Sequence, residues 1–268
     1  MYHIFCYLIL FLFLPILTVF AEEKSSGISI LPTDTLIPDQ QLETDSTLII
    51  EQKTSWMDSK YFRQSIIPMT LAVSSLTILA IPDLKYQLQE HLNWNKTDKV
   101  NLYDDELRYA PMGAVVLLSL TGLKGEHKLL EQVAIGGVAY ILADFIVYRT
   151  KLATHVARPA PFTEHNSFPS QHASIAFVGA TLLHREFGHI SPWISVAGYT
   201  TAAWVGYARI ARNRHFVPDV LMGAAVGTLS TNATYWMYDA LMPMLKNRLS
   251  LSPNLGPEGA EIQLSYQF

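Results

Sequence analysis

Apolar residues in this chain come in runs rather than in alternation. Beyond residue 60 they gather into six segments, 65–82, 110–122, 129–148, 172–187, 190–207 and 218–241, divided by polar stretches. These runs are longer than ordinary strands and lack a period of two, so each predicts a helix. No repeat is visible, and the expectation for residues 61–245 is one all-α domain, a bundle of about six helices with its polar chemistry at helix ends. The C-terminal segment 246–268 follows another rule. In "PNLGPEGAEIQLSYQF" the residues Ile262, Leu264, Tyr266 and Phe268 alternate, which predicts a docked tail or an edge strand. One strand closes no barrel.

The N-terminus breaks the helical pattern in a different way. "MYHIFCYLILFLFLPILTVFAEE" has an apolar core from Ile4 to Phe20, then Ala21 and two glutamates, the layout of a secretory signal over residues 1–21. Cys6, the chain's only cysteine, lies inside it and comes too early to follow a lipoprotein-type signal, so no disulfide is expected. Residues 22–60 are polar and rich in Pro, Ser and Thr, and read as an arm or linker. Export places the domain in the periplasm or cell envelope.

Composition sharpens the choice of surroundings. Half of the residues are hydrophobic and 16% are charged, against roughly 25% charged in an average soluble domain. A net charge of −4 offers no electrostatic footprint for nucleic acid. Either much of the chain is buried in a compact helical core, or some of it meets lipid. Segments 65–82, 129–148, 190–207 and 218–241 approach the roughly 20 residues a membrane span needs, but the second and fourth carry acidic residues. If a cleaved signal were followed by three full spans, the loop after 148 would face the cytoplasm, an odd place for the chemistry of an exported protein. The expectation is a self-buried helical core with one or two segments touching a membrane.

Three short stretches at segment edges carry the candidate chemistry. In "KLATHVARP", Lys151 and Arg158 are seven residues apart, two helical turns, which predicts two cations on one helix face before Pro159 ends the helix. In "SFPSQHAS", Ser170 is placed to cap a helix from His172 onward, whose free N–H groups form an anion site. In "ARIARNRHFVPDV", Arg209 precedes His215 by six, Asp219 follows it by four, and Pro218 suits a first helical turn. Three cations, a helix N-terminus, two histidines and a carboxylate suit a tetrahedral oxyanion, with one imidazole to attack and one to move a proton.

The pattern K-x6-RP, P-S-x-H, R-x5-H-x3-D, in that order, resembles the type 2 phosphatidic acid phosphatase superfamily, which includes lipid phosphatases, bacterial non-specific acid phosphatases and vanadium haloperoxidases. The resemblance covers 100–180 residues and implies a helical phosphatase. It makes His215 the nucleophile of a phosphohistidine intermediate, oriented by Asp219. His172 would protonate the leaving alkoxide and then activate water. Lys151, Arg158 and Arg209 would hold the phosphate oxygens, with Ser170 and the backbone N–H groups around Gln171 completing the cradle. The resemblance implies no metal and no cofactor, since these cations supply the neutralisation that Mg²⁺ gives elsewhere. Two positions depart from the family: Gln171 stands where it has glycine, and Ala208 where it has serine. The substrate class is a phosphate monoester or pyrophosphate, and the apolar setting favours a lipid. Small soluble esters, vanadate-dependent halide oxidation and a binding-only member are the alternatives.

Taken singly, each residue also has an ordinary reading. Lys151 and Arg158 would serve as a solvated face, His172 as a residue of a capped turn, His215 as a loop histidine. Their joint order is what speaks for the site. His155, His165, Arg212 and Arg214 match no position of the pattern. His184 and His189 are five apart and diverge on a helix, unlike the pair in H-E-x-x-H. Gly223 and Gly227 predict close helix packing. Asp104 and Asp105 in "YDDELRYAP" predict the acidic start of a helix.

Overall fold

A computed structural model describes residues 59–94, 100–159, 163–256 and 259–266, with the backbone alone from 244 onward. The expected signal, Cys6 and nearly all of the polar arm lie outside the described residues. Gln64–Phe268 forms one compact unit, to which the packing below refers. Its class is all-α, as the runs predict.

Six helices correspond to the six apolar runs: α1 (Lys60–Ala80), α4 (Ala110–Leu120), α5 (Leu129–Thr154), α6 (Gln171–Phe187), α7 (Pro192–Ala211) and α8 (Val217–Arg248). Two short helices, α2 (Pro82–Leu92) and α3 (Asp104–Leu107), have too few apolar residues to register as runs. After α8 comes an antiparallel hairpin of β1 (Leu249–Gly256) and β2 (Gly259–Tyr266), in which Leu251 pairs with Leu264 and Pro253 with Ile262.

Helix α6 is the axis of the bundle, packed by α4, α5, α7 and α8. Its sequence "HASIAFVGATLL" explains why. Small residues let neighbours approach from several sides, and the run from Val178 to Leu183 is wholly buried. One core cluster joins Val115, Ile135, Leu182, Leu183, Phe187 and Tyr235 across α4, α5, α6 and α8. A second joins Ala176, Ala180, Ala202 and Val205 between α6 and α7.

Glycines set the closest crossing. A Cβ on Gly223 would stand 2.4 Å from the Ser170 carbonyl oxygen, and one on Gly227 would stand 2.2 Å from that of Ser174. Only hydrogen fits there, so α8 lies directly against the first turns of α6. At the far end of α6, Glu186 is fully buried and accepts from the His127 backbone N–H at 3.0 Å, Gln132 Nε2 at 3.1 Å and Tyr235 OH at 2.5 Å, with His127 Nδ1 at 2.9 Å. That network fastens the α4–α5 connection to α5, α6 and α8.

Candidate active site

The site lies at the end of the bundle where α5 and α7 finish and α6 and α8 begin. Helix α5 ends at Thr154, with His155 in the left-handed conformation at its C-cap. This corrects the expected single face for the two cations: Lys151 is in the last turn of α5, while Arg158 lies beyond the helix end. They converge by another route. Lys151 Nζ donates to the Asn166 carbonyl, and Arg158 Nε donates to Asn166 Oδ1 at 2.7 Å. Residues on either side are joined by Arg158 N to Glu164 O (3.0 Å) and Ser167 N to Val156 O (2.9 Å).

Helix α6 starts at Gln171. Ser170 occupies the N-cap position with extended backbone (φ −76, ψ 117), but its hydroxyl makes no cap hydrogen bond, which corrects the side-chain capping expected of it. Ser170 Oγ is instead buried with no partner among the described residues, and the turn is closed by its carbonyl, which accepts from Ser174 N at 3.1 Å. Gln171, at the first helical position, has no positive φ and so needs no glycine. Its Nε2 donates to Asp144 Oδ1 on α5 at 2.5 Å.

The third piece is a tight reversal between α7 and α8. Asn213 takes the left-handed conformation (φ 58), one of the few residue types that do so readily, and its Oδ1 accepts from Gln89 Nε2 of α2 at 2.8 Å. Arg214 N and His215 N both donate to the Arg209 carbonyl, at 2.9 and 3.2 Å. Tyr86 meets Phe216 edge-on, ring centroids 5.6 Å apart. The polar helix α2 therefore braces the loop that carries His215.

Asp219 is the hub. Its Oδ2 accepts from Ser167 Oγ at 2.5 Å and from Phe216 N at 2.9 Å, and its carbonyl accepts from Ser170 N at 2.8 Å. The bond from Phe216 N caps α8, so one carboxylate does structural and site work together. His215 Nδ1 stands 3.5 Å from Asp219 Oδ2, ion-pair range rather than a formed hydrogen bond. Burial pushes the His215 imidazole down to about 3, Asp219 works in the opposite direction, and Arg209 and Lys151 add to the depression. The ring is neutral at physiological pH, the form that can attack.

Sequence reasoning missed α3. The two aspartates read as helix-start residues reach the site. Asp104, with no exposed surface, receives Arg209 Nη1 at 2.7 Å and pairs with Arg212 Nη1. Burial alone would raise its carboxyl, but the two guanidiniums hold it below the ordinary range. Asp105 Oδ1 lies 2.6 Å from His172 Nε2, and Arg108 Nη1 lies 2.8 Å from the same nitrogen. Burial, with Arg209 and Arg108, pushes the His172 imidazole down to about 4, against the opposing pull of Asp105. These partners are separated from His172 and Arg209 by 64 to 105 residues, beyond the reach of any local pattern. Donor atoms of Asp104, Asp105 and His172 lie within 4.8 Å of one another, yet Arg209 and Arg212 already serve as counter-ions to Asp104, so the group is an ion-pair network.

Lys151, Arg158 and Arg209 crowd close enough to repel one another, and Asp219 offsets them only in part. Arg209 Nε and Ser170 Oγ are buried donors that no described residue accepts from. Unsatisfied buried donors beside surplus positive charge call for an anion. The profile of the PAP2 superfamily matches residues 132–243, from the first turn of α5 to near the end of α8. Over that span the chain is similar to the PAP2 superfamily. A curated relative, the lipid A 1-phosphatase of Porphyromonas gingivalis, is 39% identical over 139 residues, which are 52% of this chain and 31% of that protein. The chain thus spans about a third of that relative's length. A crystal structure of Aquifex aeolicus LpxE is 25% identical, with a TM-score of 0.43 over 57% of this chain and 95% of that one.

Proposed function

We propose that this PAP2-like chain is a metal-independent phosphatase of the cell envelope, acting on a lipid phosphate monoester or pyrophosphate through a phosphohistidine on His215. The observation that carries it is a buried imidazole 3.5 Å from a buried carboxylate, beside three mutually repelling cations and two buried donors that no described residue accepts from. In the first step His215 Nε2 attacks phosphorus and the bond to the leaving oxygen breaks. Nδ1–H then faces Asp219, which offsets the charge appearing on the ring. His172 gives its proton to the leaving alkoxide and takes one from water in the second step, when the P–N bond breaks. Lys151, Arg158, Arg209, Ser170 Oγ and the N-terminus of α6 stabilise the charge gathering on the phosphoryl oxygens. A bound phosphate dianion also opposes the cations that depress His172, returning that ring to a protonated state.

The lipid reading rests on the surface and on the relative. Helices α1 and α5 are long and apolar enough to cross a membrane. On α5 the residues Leu130, Val133, Ile141, Phe145, Tyr148 and Leu152, at helical spacing, are exposed, and on α1 so are Ile66, Met69, Val73 and Leu76. Continuous apolar faces of this kind suit acyl chains rather than water. The relative's name supplies lipid A as the first substrate to try.

The test is phosphate release by purified protein in EDTA, from lipid A, phosphatidic acid and undecaprenyl pyrophosphate in micelles and from p-nitrophenyl phosphate in solution. Release from a lipid, insensitive to EDTA, supports the reading. Release from the soluble ester alone favours an acid phosphatase, and activity abolished by EDTA and restored by Mg²⁺ sinks the mechanism.

A further inference from the structure

The proposed proton donor of this site needs a partner, and the structure assigns one. We infer that Asp105 is the positioning residue of His172, so that the site holds a second histidine–carboxylate pair beside His215 and Asp219. The inference rests on the phosphatase reading for its role, but its geometry stands apart from it. Asp105 Oδ1 is 2.6 Å from His172 Nε2, the shorter of the two contacts at that nitrogen.

Nε2 is contested. A carboxylate there requires Nε2–H, whereas Arg108 Nη1 at 2.8 Å requires a lone pair. One in-plane position cannot serve both. With the lone pair on Nε2, a negative oxygen would face it at 2.6 Å, and the pair would repel. With Nε2–H, the contact is a charge-assisted hydrogen bond. Asp105 therefore selects the tautomer that carries the proton on Nε2, the atom that must deliver it.

The charged groups acting on this ring are Arg209 from α7 and Asp105 and Arg108 from α3 and its C-cap. Asp105 is the one anion among them and opposes the depression that burial and the arginines impose. Its side chain is half exposed and sits on a helix of four residues, so an incoming leaving-group oxygen can take its place at Nε2. Asp105 thus fixes the tautomer of His172 and raises its protonated fraction in the free enzyme, and withdraws in the complex. That predicts an effect on kcat/KM, which reports the free enzyme, more than on kcat.

The experiment compares wild type, Asp105→Asn and Asp105→Glu on whichever of phosphatidic acid micelles or p-nitrophenyl phosphate the wild type hydrolyses. Asp105→Asn should move the alkaline limb of kcat/KM to lower pH by about one unit. Since a unit is a factor of ten in the protonated fraction, kcat/KM at pH 7 falls about tenfold while kcat stays within about threefold. Asp105→Glu should restore most of the limb. An unmoved limb, a fall in kcat alone, or a rise in kcat/KM (a carboxylate that only obstructs the cleft) overturns the inference. Histidine ¹⁵N NMR of the full chain decides it without turnover. Neutral His172 should be the Nε2–H tautomer in wild type and should titrate at lower pH in Asp105→Asn. The Nδ1–H tautomer, or an unchanged titration, overturns it. Inert wild type with the expected NMR result would remove the phosphatase reading and leave the pair standing.

Discussion

A close backbone approach between α6 and α8 lies next to the candidate chemistry, and one methyl group tests both. In Gly223→Ala the new Cβ would sit 2.4 Å from the Ser170 carbonyl oxygen and 3.1 Å from Ala173 Cβ. Ordinary contact begins near 3.5 Å, so the helices must separate by about 1 Å. Neither obstacle is a flexible side-chain end that can swing aside. Overpacking of this sort costs about 1–3 kcal/mol, and stretching the bond from Ser170 N to the Asp219 carbonyl, now 2.8 Å, adds about 1 kcal/mol. The same separation carries His215 and Asp219 on α8 and its approach away from Ser170 and His172 on α6. A misplacement of 1 Å in a positioned site can cost about 100-fold in rate. Thermal unfolding should therefore shift down by several degrees, and phosphate release by the folded fraction should drop about 100-fold. Gly113→Ala in α4, where a Cβ meets nothing within 4 Å, is the control; it should gain about 0.5–1 kcal/mol and keep full activity. Gly223→Ala with wild-type stability and rate would refute the account of how α8 seats the site.

His215→Ala should abolish turnover, while Asp219→Asn should leave a folded, far slower enzyme, and acid-quenched wild type should carry phosphate on His215; label on Ser170 would contradict the mechanism. Stability should fall as pH drops from about 6.5 toward 4, because His172 and His215 have folded values of about 4 and about 3, below the unfolded value near 6.5, so the unfolded chain binds the extra protons. His215→Asn should flatten that slope in calorimetric scans, and an unchanged slope would show that the buried rings are not its source. Glu186→Ala strands the Tyr235 hydroxyl and the His127 backbone N–H and should cost about 2–5 kcal/mol in denaturant melts without changing kcat of the folded protein. Gln171→Gly removes the bond to Asp144 and bulk at the cleft, and should change KM and lipid preference more than kcat, which should stay within about tenfold; a dead wild type rescued by glycine would make the native chain a binder.

Helices were legible wherever the chain carries a long apolar run, whether buried, as in α6, or largely exposed, as in α1, whereas the polar α2 and the single turn α3 did not announce themselves. The three motif pieces were legible because helix ends are local: Ser170, Gln171 and His172 lie within one turn, and Arg209, His215 and Asp219 lie within one reversal. Lys151 and Arg158 show the limit of helical spacing as evidence. Seven residues place two side chains on one face only while the helix lasts, and α5 stops at Thr154. Ser170 shows the limit of capping rules, since a buried serine can keep its hydroxyl for the cleft.

Asp104 and Asp105 carry the deepest lesson. Acidic residues opening a helix satisfy the dipole, and nothing in "YDDEL" distinguishes that use from a counter-ion to Arg209 or a partner to His172. The difference lies in what α7 and α6 bring to them across 64 to 105 residues of chain. A site that gathers three cations to hold a dianion must survive without it, and like charges at this density destabilise the fold. Asp104 answers that need permanently, buried between Arg209 and Arg212, while it leaves Arg209 Nε unclaimed. Asp105, half exposed, offers its charge to the ring where the reaction needs a proton. On the phosphatase reading, two neighbouring residues of one type divide the work by burial: the buried one holds the cradle together, and the half-exposed one gives way to substrate.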